Sequence, residues 1–178
     1  MRYLTLALVT AVAGLAGCGG SESEDGDARP PAPSGGDSQA AKDSFVRRID
    51  ALCKEVNPSL KKIRTDLLRT RNAARAGRAD PNTTFRTFAR LLRKTEGVTN
   101  RTESELRAIK PPRSEEGFHK DLLRSLTEGR SNLRQQVRAA EARDAVRLRE
   151  LSVEGTVISS RQKGLITGHG GFRHCTSG

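Results

Sequence analysis

The sequence predicts an all-α protein: an antiparallel four-helix bundle behind a disordered linker, with its first helix kinked near Pro58. Three observations predict this fold. Apolar residues recur at steps of three and four along most of the chain, which is the spacing of one helix face. No segment shows the strict alternation of apolar and polar residues that a strand shows. The links between the periodic segments have two to six residues, and short links favour antiparallel neighbours.

The size and composition of the chain restrict the classes of protein to which it can belong. It has 178 residues, 32 Lys and Arg against 21 Asp and Glu, and a formal net charge of +11. This length favours a single domain. With 30% charged residues, the chain is too polar for several membrane spans. Only 3% of the residues are aromatic, and none is Trp, so the core must be mainly aliphatic.

The N-terminus contains an apolar run that follows Arg2 and ends at Leu15-Ala16-Gly17-Cys18. A basic start, about a dozen apolar residues and small residues after them are typical of a secretory signal, and a membrane span needs about 20. The last four residues resemble the lipobox of bacterial lipoproteins. This resemblance implies that residues 1–17 are removed and that Cys18 carries a diacylglycerol and usually an N-acyl chain. Cys18 then anchors the protein to lipid on the extracytoplasmic side of the cell membrane. The alternative is an ordinary signal in which Cys18 has no role.

Residues 18–43 are interpreted as the lipidated cysteine and a flexible linker. They are rich in Gly, Ser, Pro, Ala and acidic residues, without periodicity, so they cannot form a core. The net charge is −4 between Ser21 and Ser44 and +14 from Phe45 onward. The basic character of the chain therefore belongs to the predicted domain, residues 44–178.

The first predicted helix starts at Asp43 and Ser44, both suitable N-caps. Its apolar stripe runs from Phe45 to Leu67. Pro58 lies inside this run, and its missing N–H and its ring should kink or break the helix near Asn57.

Three further helices follow. The second opens at Asn82-Thr83-Thr84 and stops before Pro111, and the third opens at Ser114-Glu115-Glu116 with acids that suit the helix dipole. The fourth starts near Asp144 and ends in a glycine-rich segment at Gly168. Because only a residue or two separates the third helix from the fourth, they could also form one long bent helix. A three-helix array with a loose fourth helix is the other alternative.

Two cysteines remain once Cys18 is assigned to lipid. Cys53 lies in the first predicted helix and Cys175 near the C-terminus. Export is compatible with disulfides, and a Cys53–Cys175 bridge would fasten the tail to the bundle. The alternative is two free thiols, with Cys53 as a small core residue. The segments around both cysteines also resemble small exported helical proteins of high-GC bacteria. That resemblance supports the bundle and the cysteine pair and implies no activity.

Candidate metal and catalytic motifs are incomplete. Glu116 and His119 have the Glu-x-x-His spacing of di-iron bundles, but such sites need a second copy of the motif, so we interpret His119 as a surface residue. His169, His174 and Cys175 could form a soft ligand cluster, but a disulfide would remove one ligand. No nucleophile, haem or phosphate-loop motif occurs. Acidic residues are interpreted as partners in surface pairs four residues apart: Asp50–Lys54, Glu103–Arg107 and Glu116–Lys120. We therefore expect no enzyme activity, no metal and no cofactor.

Basic residues form stripes on the predicted helices. The stripes on the second and third helices contain Arg86, Arg90, Arg93, Lys94, Arg130, Arg134 and Arg138. Arg64, Arg71, Arg75 and Arg78 crowd the end of the first. Export and the lack of stacking aromatics argue against nucleic acid as the partner. Anionic lipid headgroups or cell-wall polyanions fit better. The plainer interpretation is a solvated face.

The sequence as a whole predicts a membrane-anchored lipoprotein with a non-catalytic helical bundle, acting as an envelope interaction or structural module that binds anionic surfaces. The alternative is a bundle of the cell envelope that binds a small ligand or a metal.

Overall fold

The computed structural model describes residues 38–176. Four α-helices account for most of this part: α1 (Gln39–Arg75), α2 (Pro81–Ala108), α3 (Glu116–Glu141) and α4 (Ala145–His169). A short 3-10 turn, Arg113–Glu115, precedes α3, and no strand occurs between residues 38 and 176. The predicted all-α bundle is confirmed. No helix in this range is both apolar enough and long enough to span a bilayer.

The predicted start of α1 was wrong by five or six residues, because the predicted caps were Asp43 and Ser44 and the observed cap is Ser38. The helix begins at Gln39 because Ser38 is its N-cap, with the Ser38 hydroxyl accepting a hydrogen bond from the Ala41 N–H at 3.2 Å. Ala40 and Ala41 continue the helix, as expected from the high helix propensity of alanine. Asp43, one of the two predicted caps, accepts a hydrogen bond from the Gln39 side chain instead.

The first helix is continuous through Pro58, so the chain does not break there. Pro58 and Lys54 are both exposed. The carbonyl of Lys54, which loses its donor to the proline, therefore lies on the solvent side of the helix, where water can replace the missing bond.

The turn between α3 and α4 excludes one long bent helix. Arg143 has a φ of 58°, in the left-handed region that ends helices. Asp144 then caps α4, since its carboxylate accepts a hydrogen bond from the Arg147 N–H at 2.9 Å. The predicted start of α4 is confirmed. The fourth helix is not loose either, because Leu151 in its middle is completely buried.

Successive helices pack side by side, and polar contacts give their register. Arg134 contacts Glu96 and Arg130 contacts Asn100, so residue numbers rise on α3 as they fall on α2. Two pairs, Glu128 with Arg161 and Gln135 with Arg147, give the same relation for α3 and α4. The helices are antiparallel, as predicted. Consequently α1 and α3 end where α2 and α4 begin.

The apolar core consists of two clusters. One lies where α1 begins and α4 ends; its buried members are Phe45, Ile49, Leu106, Ile109, Leu122, Leu126, Ile166 and Phe172. The other lies towards the opposite end and has smaller buried residues: Ala89, Leu92, Val137 and Ala140. We call the first the aromatic end, because Phe45, Phe118 and Phe172 meet there.

Candidate anion-binding surface

The end of the bundle opposite the aromatic end is rich in arginine. We define the arginine end as residues 75–94 and 138–149, which include the C-termini of α1 and α3 and the N-termini of α2 and α4. These two segments contain ten basic residues and three acidic ones. All ten basic residues are exposed. The arginine end therefore has a formal charge of +7 on an accessible surface.

The three acidic residues of the arginine end already have structural roles. Asp80 caps α2, its carboxylate accepting a hydrogen bond from the Thr83 N–H at 2.8 Å, and this bond holds the pKa of Asp80 below its usual range. Asp144 caps α4 in the same way. Glu141 forms an ion pair with Arg93. No acidic residue of this end is left to neutralise the remaining bases.

Seven of the ten basic side chains make no hydrogen bond or ion pair with any residue between 38 and 176. They are Arg75, Arg78, Arg90, Lys94, Arg138, Arg143 and Arg149. Arg86 has only a long contact, 3.4 Å, to the hydroxyl of Thr83. Guanidinium groups bind phosphate and carboxylate oxygens in a bidentate manner. Since no residue between 38 and 176 occupies these side chains, they are suited to bind anions.

The seven residues predicted from the sequence fall into two groups. Arg86, Arg90, Lys94 and Arg138 lie at the arginine end; the charge of Arg86 acts on Asp80, and the other three have no acidic partner among residues 38–176. Arg93, Arg130 and Arg134 instead form contacts between α2 and α3, to Glu141, to Glu103 and Asn100, and to Glu96. These three arginines join two helices, and their charges are largely compensated.

The polar contacts between α2 and α3 pair residues in one constant register along the two helices, up to the arginine end. Arg130 and Arg134 each meet a partner on α2 at the corresponding level. By the same register, Arg138 comes opposite Leu92, next to Arg93, whose own partner is Glu141 on α3. Arg138 is thus the first arginine of this series without an acid beside it. The sequence shows the stripe of arginines but does not show where the compensating acids end.

Arg143 and Arg149 are not among the anion-binding residues that the sequence predicts. They belong to no stripe on the second or third helix, and the antiparallel packing alone brings them to the same end as Arg75 and Arg90. The order of predicted helices could have suggested this, since every residue near a link between the first and second helices, or between the third and fourth, lies at one end of such a bundle.

A buried carboxylate between α2 and α3 was interpreted wrongly as part of a surface pair. Glu103 does pair with Arg107, at 2.6 Å, but it is only 2% exposed. It also accepts a hydrogen bond from the Thr127 hydroxyl at 3.0 Å and lies 3.3 Å from Arg130. Burial raises the pKa of Glu103, but the bonds from Arg107 and Thr127 and the charge of Arg130 outweigh it, so this pKa lies below its usual range.

The other two predicted surface pairs, Asp50–Lys54 and Glu116–Lys120, do not form within residues 38–176. Asp50 binds the C-terminal tail instead: its Oδ1 accepts hydrogen bonds from the backbone N–H groups of Arg173, His174 and Cys175 at 2.9, 2.6 and 3.3 Å. The structure also brings Cys53 and Cys175 to disulfide distance, with their Sγ atoms 2.09 Å apart.

The histidines do not assemble a metal site. His119, interpreted as a surface residue, is buried: its Nε2 lies 2.9 Å from the Leu106 carbonyl and its ring contacts Phe45. His169 Nε2 lies 2.5 Å from Glu115. Between residues 38 and 176, no group of three or more potential ligands is placed to hold a metal ion.

An open cleft of about 640 Å³ lies beside His169 at the aromatic end. Its lining includes Asp50 and Glu115, whose carboxylates are already bound by the tail amides and by His169. These two carboxylates therefore already have partners within the protein, and we regard the arginine end as the stronger candidate.

Comparison of the chain with protein-family models, with curated proteins and with solved structures gave no match.

Proposed function

We propose that this protein is a lipid-anchored envelope protein of bacteria, without catalytic activity, whose arginine end binds an anionic surface. One observation carries the binding proposal: the arginine end has seven basic side chains without partners among residues 38–176, and its three acids are all occupied. Free guanidinium and ammonium groups that share one end of a rigid bundle can contact an extended negative surface together.

The anchoring part of the proposal depends on Leu15-Ala16-Gly17-Cys18 and its resemblance to a lipobox. These residues lie outside the described part of the chain, as does most of the predicted linker of residues 18–43. An anchor at Cys18 would keep the bundle at the outer face of the membrane, where anionic headgroups and wall polymers are at high local concentration. Several acyl chains are needed for stable anchoring, and a lipidated N-terminal cysteine supplies them.

Electrostatics gives the expected strength of binding. Each Lys or Arg close to an anionic membrane surface contributes about 1 kcal/mol, and the attraction falls off within a Debye length of about 8–10 Å. Seven free bases therefore give strong binding at low salt that weakens steeply as salt is added.

The test is sedimentation of the full chain, carrying Cys18→Ser to remove the anchor, with vesicles of phosphatidylglycerol and phosphatidylcholine over a range of salt. A triple variant, Arg90→Gln, Lys94→Gln and Arg138→Gln, should bind about a hundredfold more weakly at low salt, from about 1 kcal/mol per charge. A matched control removes three exposed bases near the other end of α1: Arg47, Arg48 and Lys54. Equal losses in the two triple variants would contradict a specific role for the arginine end, because net charge alone would then explain binding.

Anchoring is tested separately, by fractionating cells that express the chain with Cys18 or with Cys18→Ser. Membranes are washed at high salt to remove protein that is held only by charge, and the Cys18→Ser chain should then leave the membrane fraction. Retention of both forms after the wash would overturn the lipoprotein proposal without affecting the binding measurement.

A further inference from the structure

The fourth helix has two faces with different surroundings. On one face Leu151 is completely buried and Ile166 is 8% exposed. On the other face Val146, Val153 and Val157 are 68%, 63% and 57% exposed. Four large hydrophobic residues are exposed between residues 38 and 176: these three valines and Leu68 on α1.

The three valines form one stripe. Their spacings of seven and four residues place them within about 40° of one another around a helix of 3.6 residues per turn. The same count places the stripe about 140° around α4 from Leu151, with Val157 bordering an open cleft that α3 residues also line.

Close packing on α3 prevents α4 from turning these valines inward. Asn132 donates a hydrogen bond to the Leu151 carbonyl at 3.1 Å and is itself buried. A Cβ on Gly155 would lie 2.9 Å from Asn132 Oδ1 and 3.1 Å from Gln136 Nε2. A residue with no side chain is therefore required where α4 meets α3, and this contact fixes which face of α4 is exposed.

The charges beside the valine stripe are mainly positive. Arg149 and Lys163 border one side of it and make no ion pair within the described residues. Glu150, next to the stripe, is neutralised by Arg147 at 3.0 Å. Glu154, on the other side, is exposed. Basic residues along an exposed apolar stripe are typical of helices that lie in the headgroup region of a membrane.

The stripe is continuous with the arginine end. Val146 lies three residues after Arg143 and three before Arg149, both of which are free bases of that end. Since a soluble polyanion offers no apolar phase, exposed valines would gain nothing by contacting it. A bilayer offers anionic headgroups and an acyl boundary together.

We infer that the anionic surface is a lipid bilayer and that α4 lies on it, with Val146, Val153 and Val157 inserted at the headgroup boundary. This inference rests on the proposed function of the arginine end and names its partner. A second copy of the chain is a less suitable partner for this stripe. Stable protein interfaces bury about 800 Å² on each partner, and three valines supply only a small part of that area.

The first experiment compares binding to two anions in the Cys18→Ser chain. One is a vesicle of phosphatidylglycerol and phosphatidylcholine, and the other is inorganic polyphosphate. The variant Val146→Thr, Val153→Thr, Val157→Thr keeps the side-chain shape and should bind vesicles about tenfold more weakly, since burial of apolar surface is lost. Its binding to polyphosphate should not change. Leu68→Thr is the control for an exposed apolar residue elsewhere, and it should bind vesicles as the parent does.

The outcomes separate the two proposals. If the parent chain binds neither anion in a salt-dependent way, the proposed function fails. If it binds and the triple valine variant binds vesicles equally well, the arginine end acts alone and the bilayer inference is overturned. If the valine variant changes the sedimentation coefficient without vesicles, the stripe is an interface between copies, which also overturns it.

A second measurement does not depend on the triple variant. The chain contains no Trp, so Val153→Trp introduces a single fluorophore. Its emission should shift to the blue when vesicles are added and should be quenched by brominated lipids. The matched control is Ser104→Trp, at an exposed position on α2, whose emission should neither shift with vesicles nor be quenched by brominated lipids. Emission from Val153→Trp that vesicles leave unchanged would contradict insertion of α4.

Discussion

At the aromatic end, polar groups bind one another and the chain terminus is fastened to the helices. Asp50 accepts three tail amides, Glu115 meets His169, and Cys175 lies against Cys53. At the arginine end the acids serve as helix caps or in one ion pair, and seven bases have no partner among residues 38–176. Within this one small bundle, therefore, the charges at the aromatic end stabilise the fold, whereas most of those at the arginine end do not.

The largest effect should come from the cysteines. Replacement of Cys53 and Cys175 by Ser removes a cross-link between positions 122 residues apart, and the chain-entropy relation gives a loss of about 4–5 kcal/mol in the free energy of unfolding. Denaturant unfolding with and without reductant measures it. The parent should lose this stability on reduction, and the double Ser variant should be insensitive to reductant. A parent that reductant does not affect would mean that the two thiols are free.

The second largest loss of stability should come from replacing Glu103, the buried carboxylate between α2 and α3. Glu103→Gln removes the charge that Arg107 and Arg130 face, and loss of hydrogen bonds to a charged group costs about 2 kcal/mol. Because the pKa of Glu103 is lowered in the folded protein, its stabilisation is present at neutral pH and is lost as the pH falls through that lowered pKa. Denaturant unfolding at several pH values should show a smaller acid dependence for the variant. Curves that stay parallel down to acidic pH would contradict this role.

A smaller effect tests the contact that fixes the exposed face of α4. Gly155→Ala places a methyl group 2.9 Å from Asn132 Oδ1 and should destabilise the protein by about 1–2 kcal/mol through overpacking. The matched control is Gly97→Ala on α2, where nothing lies within 4 Å of the new Cβ. That control should stabilise the protein by about 0.5–1 kcal/mol. Thermal unfolding compares the two, and stabilisation of the protein by both substitutions would mean that the α3–α4 contact is not tight.

The smallest effect on stability should come from the arginine end. The triple variant Arg90→Gln, Lys94→Gln, Arg138→Gln removes exposed charges that have no partner among the described residues, so its free energy of unfolding should stay within about 0.5 kcal/mol of the parent. The same variant should lose most of its binding to anionic vesicles. Denaturant unfolding and vesicle sedimentation on one preparation test both parts. A large loss of stability would show that these charges do support the fold.

Much of the fold could be predicted because the signals are local. The apolar periodicity predicts four helices, and Asp144 is a cap whose effect depends only on the next three residues. The start of α1 was missed because Ser38, like Asp43 and Ser44, is a good cap, and nothing local decides among them. His119 was missed because its partner, the Leu106 carbonyl, lies 13 residues earlier on another helix.

The candidate site was predictable only in part. The stripes of bases on the second and third helices are visible in the sequence, and three of the seven predicted residues, Arg90, Lys94 and Arg138, have no acidic partner within the part of the chain that the structure describes. Arg130 and Arg134 look the same in the sequence, but Glu103 and Glu96 compensate them. Pairing across helices depends on register, which hydrophobic spacing does not specify to the residue.

Local patterns in the sequence establish that the described chain is helical, roughly where its helices start and end, and that its positive charge follows an acidic N-terminal segment. Periodicity, capping and charge counts are properties of neighbouring residues, so they need no tertiary information. Helix packing alone establishes which charges are compensated, that Glu103 is buried, and that Val146, Val153 and Val157 are exposed. These facts depend on how one helix packs on the next, because burial and pairing join residues that are distant in the chain.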